Sequence, residues 1–468
     1  MTIIPIGKQR IQINLSEPEE SYFQELFEGL KGMFREILVQ SIETILEMEV
    51  DRYLKRKRYR RRKKMVEQPS DRMTCNRCGS WDVRNFRRNG HYRRGLSTNW
   101  GYIEFNMPQI ECVCGGGVRV AYRTIRHRQR IWNDLEAHFR SESGYGMSLR
   151  EIKAKMDVEL QGSLGLRTIN DRIHCANELL PIWERGLVKE VPPVMRLDGI
   201  WVKLMIATEN YQYDAMGRKR VVKTRKTLPV LVAQGVWPAE GRQEILAWII
   251  AEAEDKDSWE DLIFRLRDKG IRLEEMKLVI GDGSSGLASL LQQQYPSVPF
   301  QRCVFHKFQN LWRDLVEPEG MDRAQLRQFK RDLINEAAEI WQADHARNAW
   351  RKMQDFSVKW EAEQPKMVAT LQRDFDLTLT FYAAIEKAAQ VGQSWPPEQL
   401  RTISHLERDN RRVRKRLRNA VLYHSRQGLS AALCLNYARG FALPNDPLPG
   451  RWHNAFERQI AEAAYFLI

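Results

Sequence analysis

Two aspartates sit where an aspartate needs a reason. Asp198 interrupts VMRLDGIWVKLMIAT, residues 194–208, a run rich in β-branched and aromatic side chains. A carboxylate inside such a strand costs several kcal/mol unless it is paired or bound to a metal. Asp282 ends MKLVIGDG, residues 276–283, in a Gly-Asp-Gly turn ahead of a helix. On its own it could equally cap that helix or turn. As a pair the two are the hard oxygen ligands that magnesium or manganese prefers. Two such ions about 4 Å apart can activate an attacking oxygen and stabilise a leaving one in phosphoryl displacement.

A second group of residues points to a different metal. Cys75 and Cys78 stand in CNRCGS, and Cys112 and Cys114 in ECVCGG. A C-x-x-C pair and a C-x-C pair, each on a Gly-containing turn, can set four thiolates around one structural zinc. Between them, RRNGHYRRGLSTNWGYIEFNMPQ reads as short strands with turns at Asn89-Gly90 and around Gly101. The pattern is that of a zinc ribbon. The plainer alternative is four unpaired core cysteines.

The elements that must position Asp198 and Asp282 follow from the same patterning. Strands are expected over 194–208, 227–236 and 244–250, with ENYQYDAMGRKRVVKTRK as a polar, basic hairpin loop between the first two. A helix follows over 258–270, with Ser258 as N-cap and Gly270 just past its end. A fourth strand over 276–283 feeds a helix from Ser284 or Ser285, and a short fifth strand covers 298–306. Three strands, helix, strand, helix, strand is the order of an RNase H-like α/β core, in which the first and fourth strands are neighbours.

Ahead of this core, apolar residues at helical spacing from Phe23 to Leu46 predict one or two amphipathic helices. Residues 131–175 predict three more. One ends near Gly144, one starts at Ser148 with Glu151 completing a capping box, and one opens at Thr168 or Asn170 after a turn at Gly162-Ser163. That is a helix-turn-helix layout, met both in DNA contact and in plain structural hairpins.

Charge favours a polyanionic partner. Lys and Arg number 75 against 60 Asp and Glu, for a net +15, and nucleic acid is the commonest partner of such a surface. Ten of the thirteen residues 52–64 are Lys or Arg, so Arg56, Lys57, Arg58, Arg60, Arg61 and Arg62 are expected on phosphates. Arg167, just before the third predicted helix, and Arg172, within it, join them. No stretch approaches the roughly 20 apolar residues of a membrane span. The N-terminus lacks the features of a secretory signal, and seven cysteines, an odd number, suit a reducing interior. A cytoplasmic, DNA-associated protein is expected. No phosphate-binding loop is present, so no nucleotide cofactor is expected.

LDGIWVKL, VLVAQGV, GRQEILAW, DSWEDLIFRL, KLVIGDGSSGL and QRCVFHKFQNL, in this order, resemble the catalytic region of Mutator-type bacterial insertion-sequence transposases. The resemblance runs over about residues 190–315 and resumes near residue 400. It matches Asp198 and Asp282 to the first two catalytic acids of a DDE-type active site. Cys303 and His306 match the C-x-x-H motif after the second acid; without the family they read as half a metal site or as core residues. Residues 310–400, dense in charge, Trp and helical periodicity, correspond to the all-helical insertion that related transposases carry between the second and third acids. Beyond it, LRTISHLERDNRRVRKRLR (400–418) is similar to the family segment in which a Glu-Arg pair precedes Asn and a basic helix. That maps the third acid to Glu407, with Arg408 and Asn410 as companions, although Thr402-Ile403-Ser404 stands where the family usually has Thr-Asn. Taken alone, Glu407 would be a surface acid paired with Arg411 four residues on. Glu361, Glu363 and Glu386 are the alternatives inside the insertion. Residues 401–418 hold eight Lys or Arg against two acids, which sets Arg411, Arg412 and Arg414 along DNA near the cut.

The expectation is a multidomain α+β chain. Residues 1–66 form a helical N-terminal segment with the basic run, 67–125 a zinc-ribbon-like domain and 126–190 a helix-turn-helix. Residues 191–310 form the first part of the RNase H-like catalytic core, 311–399 the helical insertion, 400–425 the third-acid helix and 426–468 a C-terminal tail. The resemblance implies cutting at terminal inverted repeats and joining of the freed 3′-hydroxyls to target DNA. It also implies two magnesium or manganese ions at Asp198, Asp282 and Glu407, and a homodimer or larger assembly on double-stranded DNA. The alternatives are a DNA-binding regulator with an inactive core and an RNase H-like nuclease that never joins.

Overall fold

The computed structural model describes residues 2–6, 9–13, 19–55, 57, 72–160, 164–420 and 422–442. The chain divides into two units: residues 1–139 with 149–170, and residues 140–148 with 171–468. The basic residues Arg56, Arg58, Arg60, Arg61 and Arg62, and the turn at Gly162-Ser163, lie outside the described residues; Lys57 is exposed.

In the first unit, strands β1 (Thr2–Ile6) and β2 (Gln9–Ile13) pair antiparallel. The N-terminal periodicity produces a single helix, α1 (Glu19–Tyr53). Its Ile42, Leu46 and Val50, one turn apart, are buried. They cover a hairpin of β4 (Phe86–Thr98) and β5 (Gly101–Cys112), while the short β3 (Met73–Cys75) pairs with β6 (Val118–Val120). Alternation along β5 buries Ile103, Phe105 and Met107 against α1. Asn89-Gly90, expected as a turn, is instead a register shift inside β4 between Arg88 and His91, and the chain reverses at Asn99-Trp100. Gly90 supplies the left-handed backbone of a bulge rather than of a turn.

Three helices follow: α2 (Asn133–Gly144), α3 (Leu149–Leu160) and α4 (Leu166–His174). The third opens at Leu166, ahead of the predicted Thr168, and buries Ile169 and Ile173 four residues apart.

The second unit adds α5 (Leu180–Glu184) and then a five-stranded sheet. Its strands are β7 (Val194–Tyr213), β8 (Lys219–Trp237), β9 (Arg242–Ile250), β10 (Leu278–Gly281) and β11 (Phe300–Arg302). The order is β11-β10-β7-β8-β9, with β7, β8 and β9 antiparallel and β10 and β11 running parallel to β7. Helices α6 (Lys256–Asp268) and α7 (Ser285–Gln294) bury Trp259, Leu262, Leu287 and Leu290 in one core with Met195, Leu197, Leu231 and Leu246 of the strands. Helix α6 starts two residues before Ser258 because Asp255, not Ser258, caps it, accepting from the Ser258 amide. The fifth strand ends at Arg302, and the rest of the expected strand is the start of a helix.

The larger departure is the basic stretch between the first two strands. Expected as a loop, it continues both strands into a two-stranded ribbon whose outer half, from Met205 to Lys226, has no buried residue.

Every described element from Val304 to Leu400 is helical: α8 (Val304–Asp314), α9 (Arg323–Ala338), α10 (Ala346–Trp360), α11 (Pro365–Gln372), α12 (Thr380–Gln390) and α13 (Pro397–Leu400), with short 3-10 turns. The chain then returns to the sheet through α14 (Ser404–Ala420), α15 (Arg426–Tyr437) and α16 (Arg439–Ala442). Residues 426–437, expected as part of a tail, form a helix with its whole second half buried. No helix among the described residues is long and apolar enough to cross a membrane.

Candidate active site

Strand parity decides which face each acid occupies. Met195 and Leu197 point into the α6–α7 core, so Arg196 and Asp198 point to the opposite face, where α14 and α15 pack on β7. In the parallel register, Leu278 pairs with Val194 and Ile280 with Arg196. Carried two residues further, that register sets Asp282 beside Asp198. Asp282 also accepts from the Ser284 amide at 2.8 Å, so it caps the first turn of α7 as well. Gly283 has φ +80°, and a Cβ there would come within 2.9 Å of the Arg302 guanidinium, so the Gly-Asp-Gly turn needs its glycine.

Asp198 is 5% exposed. Burial first, then the charges of Asp282 and Glu407, push its carboxyl well above the usual carboxylate range, although the Asn410 hydrogen bond and Arg414 pull the other way. Glu407 enters from the first turn of α14. Burial raises its carboxyl, and His306, then Arg414 and Arg411, offset that. His306 Nε2 lies 3.3 Å from Glu407 Oε1. Asn410, fully buried one turn beyond Glu407, donates from Nδ2 to Asp198 Oδ2 at 2.7 Å. The three acids assigned from the sequence therefore converge, together with His306 and Asn410. Cys303 stands just behind as the N-cap of α8. Its buried sulfur accepts from the Ile403 amide at 3.4 Å, which ties the start of α8 to the segment leading into α14. Burial pushes its thiol up to about 12, leaving it a neutral packing group.

Other sequence candidates stay outside. Arg408 is exposed on α14, and Glu361, Glu363 and Glu386 are exposed on or beside the helices of 346–390. None of these four is among the groups acting on Asp198.

Two residues at the site were missed. Tyr437, at the end of α15, is buried and donates its hydroxyl to Asn410 Oδ1 at 2.5 Å. Tyr437, Asn410 and Asp198 thus form a directed chain of hydrogen bonds. The second is Glu254, in the loop after β9. A Cβ built on Gly199 would lie 3.2 Å from its Oε2, so the glycine next to Asp198 leaves room for a fourth carboxylate. Burial and the nearby Asp282 charge raise the Glu254 carboxyl. The signal was present as AEAEDKDSWED, but six acids in that stretch left nothing to single out one.

The buried Arg196, two residues before Asp198 on the same face, fixes the frame. It donates to Gln234 at 2.9 Å, Gln243 at 2.7 Å and the Gln399 carbonyl at 2.6 Å. Burial lowers its guanidinium to about 10. Gln234 in turn donates to Asp409 of α14 at 3.1 Å.

In the other unit, the sulfurs of Cys75, Cys78, Cys112 and Cys114 all lie within 4.8 Å of one another. Cys75 and Cys114 are 3.5 Å apart, and Cys78 and Cys112 3.8 Å. A tetrahedron with bonds of about 2.3 Å has edges of about 3.8 Å, so the cluster fits one zinc. The amides of Cys78 and Arg77 point at Cys75 and help lower its thiol to about 6, toward the thiolate a metal needs.

The model of the Mutator family of transposases matches residues 12–435 of this sequence. The chain belongs to that family. The transposase is 25% identical over 364 residues to the transposase for insertion sequence element ISRM5 of Rhizobium meliloti (strain 1021), covering 76% of this chain and 78% of that one. It is 24% identical over 347 residues to the transposase for element IS905 of Lactococcus lactis subsp. lactis (strain IL1403), covering 74% and 78%. Over a shorter stretch of 153 residues it is 33% identical to the transposase for element IST2 of Acidithiobacillus ferrooxidans, covering 33% and 48%. Among solved structures, the Drosophila P element transposase strand transfer complex matches at 10% identity over 72% of this chain and 91% of that chain. The TM-score is 0.29, too loose to support a shared arrangement.

Proposed function

We propose that this Mutator-family transposase is of the DDE type, with Asp198, Asp282 and Glu407 as its catalytic acids in an RNase H-like core interrupted by a helical insertion. The observation that carries this reading is the convergence of the three carboxylates from β7, the end of β10 and α14, with Asp198 raised by the charges of both others. Three acids this close repel one another, and divalent cations relieve that repulsion. The donor set suits magnesium or manganese, which when bound would neutralise charge and activate oxygen in phosphodiester displacement.

The chain's own residues supply the positioning. Asn410 occupies Asp198 Oδ2, and among the described residues Oδ1 accepts no hydrogen bond, so that oxygen is available to an ion. Tyr437 holds Asn410, and His306 holds Glu407. Water attacks a phosphodiester at an end of the element, and the bond to the 3′-oxygen breaks to give a 3′-hydroxyl. That hydroxyl attacks a target phosphodiester and expels the target's own 3′-oxygen. No covalent bond to protein forms, so no nucleophilic side chain is needed. The four-cysteine domain, as a zinc ribbon, the helices α2–α4, as a helix-turn-helix, and the cations of α14 recognise double-stranded DNA at the terminal repeats. Cutting two ends together calls for a dimer or larger assembly in the DNA-containing cytoplasm.

The test uses the purified full chain, magnesium or manganese, and duplexes carrying the element's own ends, both intact and pre-cut. Wild type should cut the intact ends and join the pre-cut ones. Asp198→Asn, Asp282→Asn and Glu407→Gln should each lose roughly a thousandfold or more, because several kcal/mol of charge stabilisation is lost at about 1.4 kcal/mol per decade. Cutting without any joined product would identify a nuclease instead. Cutting unchanged in all three variants would overturn the assignment of these acids, and binding without any cutting by wild type would identify a DNA-binding regulator.

A further inference from the structure

The β7–β8 ribbon carries a charge pattern that the carboxylate site does not use. From Met205 to Lys226 it holds six Lys or Arg against two acids. Alternation sorts these cations by face. On one face Arg220 pairs with Asp214 at 2.7 Å and Lys226 with Glu252 at 2.5 Å, while Arg218 stands exposed in the turn at the tip. On the other face lie Lys203, Arg225, Lys223 and Lys219, all exposed and in no ion pair among the described residues. Trp201, 51% exposed, begins this stripe, and Tyr211 continues it with Lys219 Nζ 4.0 Å above its ring. Two residues before Trp201 is Gly199, the position against which Glu254 rests. The stripe therefore starts beside Glu254, on the face of β7 opposite to that of Asp198, and runs outward.

The ribbon is anchored at its base. Met205 donates to the Tyr423 carbonyl at 2.8 Å and Tyr423 to the Lys203 carbonyl at 2.9 Å, while Lys223 donates to the His424 carbonyl at 3.3 Å. From Trp201 to Tyr213 it spans about 40 Å at roughly 3.3 Å per residue, a little more than one turn of duplex DNA. A two-stranded ribbon fits the major groove, and unpaired cations interleaved with aromatic rings suit a phosphate backbone.

We propose that this face of the ribbon binds about one turn of duplex DNA flanking the cut site. The proposal rests on the reading of the chain as a DNA-cutting enzyme and adds a contact surface to it. The test is a salt titration of binding between the full chain and a 40-base-pair duplex, with calcium in place of magnesium so that no cutting occurs. Lys203→Ser/Lys223→Ser/Arg225→Ser should weaken binding about tenfold at 50 mM salt. It should also make the dependence of log affinity on log salt shallower by two to three, since each phosphate contact contributes about 0.9. Arg220→Ser/Lys226→Ser, on the paired face, should change binding less than twofold. Lys203→Arg/Lys223→Arg/Arg225→Lys should bind like wild type, which separates charge from folding. Equal losses in the two serine variants, or no loss in the triple one, would overturn the ribbon proposal and leave the active-site reading standing. Failure of wild type to bind any duplex would overturn both.

Discussion

The four cysteines and the four carboxylates are two clusters of possible metal ligands, yet they are built in opposite ways. Cys75 and Cys78 share one turn and Cys112 and Cys114 another, and the β3–β6 and β4–β5 pairings bring the turns together. Asp198, Glu254, Asp282 and Glu407 come from four separate elements, and the sheet, α7 and the return of the chain after the helices of 304–400 must all be in place first. The cysteine cluster is assembled locally, with Cys75 and Cys112 packed in a small core under α1. The carboxylate site gathers its charges only within a finished core.

That contrast orders the expected effects. The largest is zinc dependence: chelation, or Cys112→Ala, should release one zinc per chain and unfold residues 72–125, since structural zinc contributes on the order of 10 kcal/mol in small domains. Limited proteolysis should then cut that region while residues 190–437 stay protected; joint loss of both would erase the distinction. Next comes Asp198→Asn. It should abolish cutting by roughly a thousandfold and at the same time raise the melting temperature of metal-free protein, because a buried charge has been removed. A lower melting temperature would show that Asp198 is paired and stabilising.

The pH dependence follows from the same group. Its folded-state value is raised by burial and by Asp282 and Glu407, so its stabilising contribution is complete below the ordinary aspartate value of about 3.9 and is lost as pH rises through the raised one. The difference in melting temperature between Asp198→Asn and metal-free wild type should therefore widen upward from about pH 4, and saturating magnesium should narrow it. A difference constant with pH would remove the repulsion argument. The smallest effect is that of Tyr437→Phe, which leaves Asn410 Oδ1 unpaired and should cost about 1–2 kcal/mol of stability. It should also weaken divalent-ion binding, measured by calorimetry; unchanged ion affinity would reduce Tyr437 to a packing residue.

How much of this could be read in advance follows the same division. The cysteines announce themselves because short spacing alone nearly fixes their geometry. Asp198 was legible because an acid inside an apolar strand needs compensation. Glu407 was reached through family resemblance across a long helical stretch, and its place beside Asp198 appears only where α14 meets β7. Glu254 was hidden among neighbouring acids. Tyr437 was hidden because LSAALCLNY reads as an ordinary apolar helix, with nothing to show that its last hydroxyl meets Asn410. The ribbon was mistaken for a loop for a physical reason: beyond the core neither face is apolar, so the period-two signal that marks a half-buried strand is absent.

The hydrogen bond from Tyr437 to Asn410 has a bearing on synthesis of the chain. The cysteine domain and the helices α2–α4 leave the ribosome first, and Asp198 and Asp282 follow. The group that steadies Asp198 is among the last described residues to appear. On the proposed reading, a nascent chain can meet DNA before the groups that complete the carboxylate site have been made. A message truncated before codon 437 would yield a protein that occupies the element's ends without severing them, and each such copy would act as a brake on intact ones.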